Sequence, residues 1–91
     1  MNSNIAIRIK RLIYRSTHRG CKETDYIFSD FAKNELATLG SSELEAYEKL
    51  LEVDDTTLYS WFNGASGVSD AYNTSIIQRI KSYNESRFKN L

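Results

Sequence analysis

The chain is organised around His18-Arg19-Gly20-Cys21-Lys22-Glu23-Thr24-Asp25. This stretch reads as a tight, exposed turn between two helices. Glycine tolerates positive φ and lets another backbone approach closely, so an Arg-Gly pair followed three residues later by Glu suits a helix-to-helix corner. The sign of charge also flips here. Residues 1–22 hold six bases (Arg8, Lys10, Arg11, Arg15, Arg19, Lys22) and no acid, whereas residues 23–55 hold ten acids against Lys33 and Lys49. The formal net charge of zero therefore conceals two halves with opposite fields, an arrangement that can orient a partner.

Upstream of the corner, Ile5, Ile9, Leu12, Ile13 and Ser16 share one helical stripe, and Arg8, Arg11 and Arg15 take the opposite side. This predicts a basic amphipathic helix ending at the corner, with Ser3 or Asn4 as its cap. Downstream, a second helix is expected from about Cys21 to Ala37. Tyr26, Ile27, Phe31, Asn34 and Leu36 form its inner face, with Glu23 and Asp25 where the helix dipole favours anions. Ser42 and Glu45 have capping-box spacing before a third helix carrying Leu44, Tyr47, Leu50 and Leu51. Asp54 or Asp55 caps a short fourth helix, residues 56–63, that turns Leu58, Trp61 and Phe62 inward and stops at Gly64. A fifth helix, from about Asp70 to Arg87, uses Ile76, Ile77, Ile80 and Tyr83.

Without proline, hairpin turns or sustained alternation, nothing in the chain reads as a strand. The expected fold is all-α, a small irregular five-helix bundle formed by residues 1–91 as a single domain. At 91 residues such a domain hides about 60–65 % of its unfolded surface, and a hydrophobic content of 41 % supports a packed core. The lone Cys21 cannot form an internal disulfide, so packing must hold the fold. No apolar run reaches the roughly 20 residues that a membrane span needs. The basic residues 4–17 superficially resemble a transit peptide, but they run into the corner without a spacer. A soluble protein of a bacterial cytoplasm is expected.

Taken residue by residue, the corner allows a bland reading. Arg19 and Glu23 stand four apart and can form a local ion pair of a few tenths of a kcal/mol. His18, Cys21 and Glu23 fall short of the four ligands of a structural zinc site, since no second His or Cys exists. Cys21 as a nucleophile lacks a converging base and oxyanion site. Tyr47, Leu58, Tyr59, Trp61 and Phe62 read as core or near-core residues rather than a stacking platform. The basic first helix offers nucleic-acid binding as an alternative, with Arg8, Lys10, Arg11, Arg15, Arg19 and Lys22 on phosphates, and a general adaptor is a third reading. Overall neutrality and the acidic residues 43–55 oppose contact with nucleic acid.

Three blocks together resemble the succinate dehydrogenase assembly factor family, the small SdhE-like flavinylation factors. They are Arg11-Leu12-Ile13-Tyr14-Arg15-Ser16 before Arg19-Gly20-x-x-Glu23-x-Asp25; Phe31-Ala32; and Leu50-Leu51 leading to Asp54-Asp55-x-x-Leu58-Tyr59-x-Trp61-x-x-Gly64. The resemblance covers roughly residues 8–64. It implies a five-helix, non-enzymatic protein that binds the flavoprotein subunit of succinate dehydrogenase and, in some bacteria, of fumarate reductase. There it promotes covalent attachment of FAD to a histidine of that subunit. A monomer is expected. The FAD belongs to the client, and this chain binds no cofactor stably. Carried onto this sequence, the resemblance places Arg19, Gly20 and Glu23 at the contact, with Tyr14, Arg15 and Asp25 as neighbours. Cys21 replaces the larger apolar residue often found at its position.

Overall fold

The computed structural model describes the backbone of residues 2–72 and 74–89 and the side chains of residues 4–72 and 74–86. Among these residues it contains five α-helices, a short 3₁₀ turn and no strand. The helices are α1 (Asn2–Thr17), α2 (Lys22–Glu35), α3 (Ser41–Leu50), α4 (Asp55–Phe62) and α5 (Ser75–Lys89), and the 3₁₀ turn is Leu36–Thr38. The expected all-α bundle is present.

α2 is the central element, touching α1, α4 and α5. Its sequence explains this position, because Ile27, Phe28, Phe31, Ala32 and the following Leu36 form a stripe wide enough to face several neighbours. Phe28 and Phe31 are fully buried and meet Tyr47 of α3 at ring-centroid distances of 6.0 and 5.8 Å. Phe28 also meets Phe62 edge-on at 5.6 Å, and Phe31 meets Tyr83 in the same way. Edge-to-face pairs of this kind add about 0.5–1.5 kcal/mol each beyond area burial. Leu12, Leu44, Leu50, Leu58, Ile76, Ile77 and Ile80 close the core around them.

Several local expectations need correction. α1 begins at Asn2, so Ser3 and Asn4 lie inside the helix rather than at its cap; the side chain of Ser3 is outside the described residues. Ile5, expected on the inner stripe, is half exposed. On α2, Tyr26 and Asn34 face outward; Asn34 Nδ2 donates to Tyr83 Oη at 2.8 Å, linking α2 to α5 at the surface. The Ser42–Glu45 capping box is absent, since Gly40 occupies the cap of α3 without a side-chain bond. Tyr59 is also exposed, being one position off the Leu58 and Trp61 stripe. α5 starts at Ser75 rather than near Asp70; Tyr72 N–H instead closes a turn on Ser69 O, and the Tyr72 ring lies 5.6 Å from Trp61. The side chains of Arg87 and Lys89 lie outside the described residues.

The fourth helix has its expected cap and terminator but runs one residue earlier at both ends, Asp55–Phe62 rather than 56–63. Asp54 caps α4, accepting the Thr57 N–H at 3.0 Å and its hydroxyl at 2.8 Å, and Gly64 follows the helix at φ +82°. Its carboxyl is held below the usual carboxylate range chiefly by the bond from the Thr57 N–H, with help from the Thr57 hydroxyl.

Candidate functional site: the helix corner

α1 ends on a polar anchor inside the core. Ser16 Oγ donates to Leu12 O at 2.6 Å and lies 2.6 Å from Tyr47 Oη. Since the Ser16 proton is engaged by the carbonyl, Tyr47 is the donor of the second bond. Burial pushes the Tyr47 hydroxyl well above its ordinary range. This bond sets where α1 stops relative to α3, and hence where the corner begins.

At the corner Gly20 adopts φ +83°, a left-handed conformation that side-chain-bearing residues rarely take. A Cβ at this position would meet nothing within 4 Å, so the glycine is required by backbone angle, and its outer face is open. Asp25 folds back to accept the Arg19 N–H at 3.0 Å, while the Asp25 N–H bonds Cys21 O at 2.9 Å and opens α2. Glu23 stands exposed in the first turn of α2. The Cys21 thiol donates to its carboxylate at 3.2 Å; this bond first, and then the Glu23 backbone N–H, hold the carboxyl below its usual range. It is thus a fixed negative charge facing outward.

Arg19 behaves differently from its neighbours. Its Nε donates to Asp55 Oδ1 at 2.6 Å, Nη1 to Leu51 O at 2.8 Å and Nη2 to Val53 O at 2.8 Å. The guanidinium carbon lies 5.8 Å from the centre of the Phe28 ring, and the side chain is only 10 % exposed. Its ionic partner is Asp55, not the Glu23 four residues away. Arg19, expected at the partner contact, instead directs its guanidinium into its own chain. Asp55, Thr24 and the Leu51 and Val53 carbonyls were not singled out for the corner from sequence. The available signal was the second of two adjacent acids, Asp54 and Asp55, where one suffices as a cap.

The rest of the expected contact set lies close by on the surface. Tyr14 is 63 % exposed and stacks on His18, with centroids 4.0 Å apart and planes at 16°. His18 Nδ1 lies 2.9 Å from Tyr14 O and 2.8 Å from Thr17 Oγ1, which fixes the ring over the end of α1. Arg15 is exposed one residue along. The structure therefore displays Tyr14, Arg15, Gly20 and Glu23 outward, uses Asp25 to tie the turn, and turns Arg19 inward. The cations proposed for phosphate contact do not form one set, as Arg8 pairs with Glu48 at 3.1 Å and Arg19 with Asp55. Beside Glu23, a groove of about 670 Å³ runs between α2, α4 and α5, lined in part by Tyr26, Tyr59 and Phe62. Among the described residues no cluster of His, Cys, Asp and Glu could hold a metal ion, and no helix is long and apolar enough to cross a membrane.

Residues 10–84 match the model of the family described as the flavinator of succinate dehydrogenase, and the chain belongs to that family. Among curated relatives it is similar to the mitochondrial succinate dehydrogenase assembly factor 2 of Candida glabrata, at 32 % identity over 100 % of this chain and 62 % of that protein. The mitochondrial assembly factor 2 of Mycosarcoma maydis is 43 % identical over 59 % of this chain and 23 % of its own length. The FAD assembly factor SdhE of Acetobacter pasteurianus is 32 % identical over 85 % of this chain and 71 % of its own length. The chain thus spans less than two thirds of the two mitochondrial relatives. These comparisons correct the expectation of a bacterial cytoplasm, because most of the relatives are named mitochondrial. Leu12 and Ser16 of the basic α1 are buried in the core.

Proposed function

We propose that this chain is a non-catalytic, single-domain assembly factor that binds the flavoprotein subunit of succinate dehydrogenase and promotes covalent attachment of FAD. The carrying observation is that the family match over residues 10–84 encloses a corner whose Gly20 backbone and Glu23 carboxylate face outward on a fixed turn. FAD stays with the client in this reading, and the factor adds docking energy alone. Joining a flavin methyl carbon to histidine requires a polarised isoalloxazine, stabilised negative charge and an imidazole held at attacking distance. All of these groups belong to the client. A factor that binds only the correctly closed client raises the population of that geometry without supplying a reacting group.

Within the reading, the open face of Gly20 admits a partner backbone, Glu23 pairs with a cation across the interface, and Tyr14 and Arg15 extend the contact along α1. Asp25 preserves the turn. Arg19 supports the surface from behind. The test is the covalent flavin content of the client subunit, read by in-gel flavin fluorescence after co-expression with the wild type, with no factor, with Glu23→Ala or with Gly20→Arg. Fluorescence rising with the wild type and falling with folded variants is expected. Equal fluorescence in all four samples, with FAD and client folding not limiting, overturns the reading.

A further inference from the structure

We propose that Asp55 is a positioning residue for the docking corner, acting through Arg19 and Thr24 rather than by touching the client. The inference rests on the docking role proposed for the corner and adds a residue and a mechanism to it. One carboxylate oxygen, Asp55 Oδ1, accepts from Arg19 Nε at 2.6 Å and from Thr24 Oγ1 at 2.8 Å. Arg19 immediately precedes Gly20, and Thr24 immediately follows Glu23. The outward span 20–23 is therefore held at both of its ends by a single atom of α4.

The remaining contacts make this a rigid clamp. Arg19 Nη1 and Nη2 reach the Leu51 and Val53 carbonyls, which belong to the linker between α3 and α4, so the guanidinium also fixes the linker from which Asp55 projects. Three of the five guanidinium N–H donors are engaged by these acceptors, and at 10 % exposure little of the group is left to present to a partner. Thr24 has no exposure at all, and its hydroxyl also reaches Cys21 O at 3.3 Å. Charge-assisted bonds of 2.6–2.8 Å at partly buried positions are the strong kind. A four-residue turn held at both ends loses its conformational freedom before the client arrives, which lowers the ordering cost of binding. Asp55 thus determines where the Gly20 backbone and the Glu23 carboxylate stand.

The test is a double-mutant cycle on the affinity of the full chain for the purified client flavoprotein subunit, using wild type, Arg19→Ala, Asp55→Asn and the double variant. It is paired with amide hydrogen exchange on the free proteins. If Asp55 and Arg19 work as one unit, each single variant weakens binding by about tenfold and the double variant is no weaker than the worse single one. In free Asp55→Asn, the Arg19 and Asp25 amides exchange about tenfold faster while the α5 amides keep wild-type rates. Thr24→Val, which removes only the far tie and keeps the side-chain shape, gives the same loss of affinity to a smaller degree and serves if Asp55→Asn does not fold. The proposal is overturned if Arg19→Ala costs the same factor in both the wild-type and Asp55→Asn backgrounds, since Arg19 would then touch the client directly. It is equally overturned if corner protection falls while affinity stays at the wild-type value. Failure of the wild type itself to bind the client sinks the assembly reading instead, while the exchange data still report on the clamp.

Discussion

Removing either partner of the buried Ser16–Tyr47 hydrogen bond should have unequal effects. Tyr47→Phe deletes the donor. Ser16 Oγ still donates to Leu12 O, so the loss is one ordinary hydrogen bond, about 1 kcal/mol. Ser16→Ala instead strands the Tyr47 hydroxyl on a side chain with 0 % exposure, at a cost of about 1–3 kcal/mol. The better helix propensity of alanine returns only about 0.5 kcal/mol of this. The double variant, with no hydroxyl left to satisfy, should be less destabilised than Ser16→Ala alone. Urea unfolding reads all three values; with a slope of about 1 kcal/mol/M, the midpoint falls by about 1 M for Tyr47→Phe and about 1.5 M for Ser16→Ala. Strictly additive costs, or Tyr47→Phe costing more than Ser16→Ala, would falsify the assignment of Tyr47 as donor and Ser16 as its partner.

Alkaline pH probes the same group. The Tyr47 hydroxyl is raised above its ordinary value of 10.0, so stability is fully present below pH 10 and falls as pH rises beyond it; in Tyr47→Phe this part of the alkaline loss should vanish from urea titrations. For Asp54 the sign is opposite. Its carboxyl is lowered from 3.8, so its contribution is present above that pH and disappears as acid protonates the folded form; Asp54→Asn should flatten this part of the acid limb of a thermal-melt series. Gly20→Ala meets open space but must adopt φ +83°, so it should cost about 1–2 kcal/mol in urea titrations and leave the circular dichroism spectrum helical. Ile80→Ala, in a side chain with no exposure, should cost about 2–5 kcal/mol, whereas Arg79→Ala, which loses a surface pair to Glu43 at 3.2 Å, should cost less than about 1 kcal/mol.

The helices themselves were legible because their signals are local. Apolar spacing, Asp54 before Thr57 and Gly64 after Phe62 act within one or two turns, and the structure reproduces them. Boundaries shifted where another local arrangement was taken up. Gly40 rather than Ser42 stands at the cap of α3, and a turn from Ser69 O to the Tyr72 N–H precedes α5, with the Tyr72 ring 5.6 Å from Trp61. Phe28, omitted from the expected inner face of α2, is fully buried because α4 covers a flank that a single stripe does not anticipate.

At the corner the division is sharper. By itself the chain determined that a glycine turn joins a basic helix to an acidic one and that Glu23 sits in the first turn of α2, since both follow from spacing and backbone chemistry. Only the tertiary structure decided that Arg19 faces inward to Asp55 and the Leu51 and Val53 carbonyls, across 32–36 residues of sequence. Sequence spacing offers Arg19 the nearby Glu23. Packing α4 beneath the corner brings a carboxylate and two carbonyls that lie partly out of water, where a charged donor binds more strongly than at an exposed helix end.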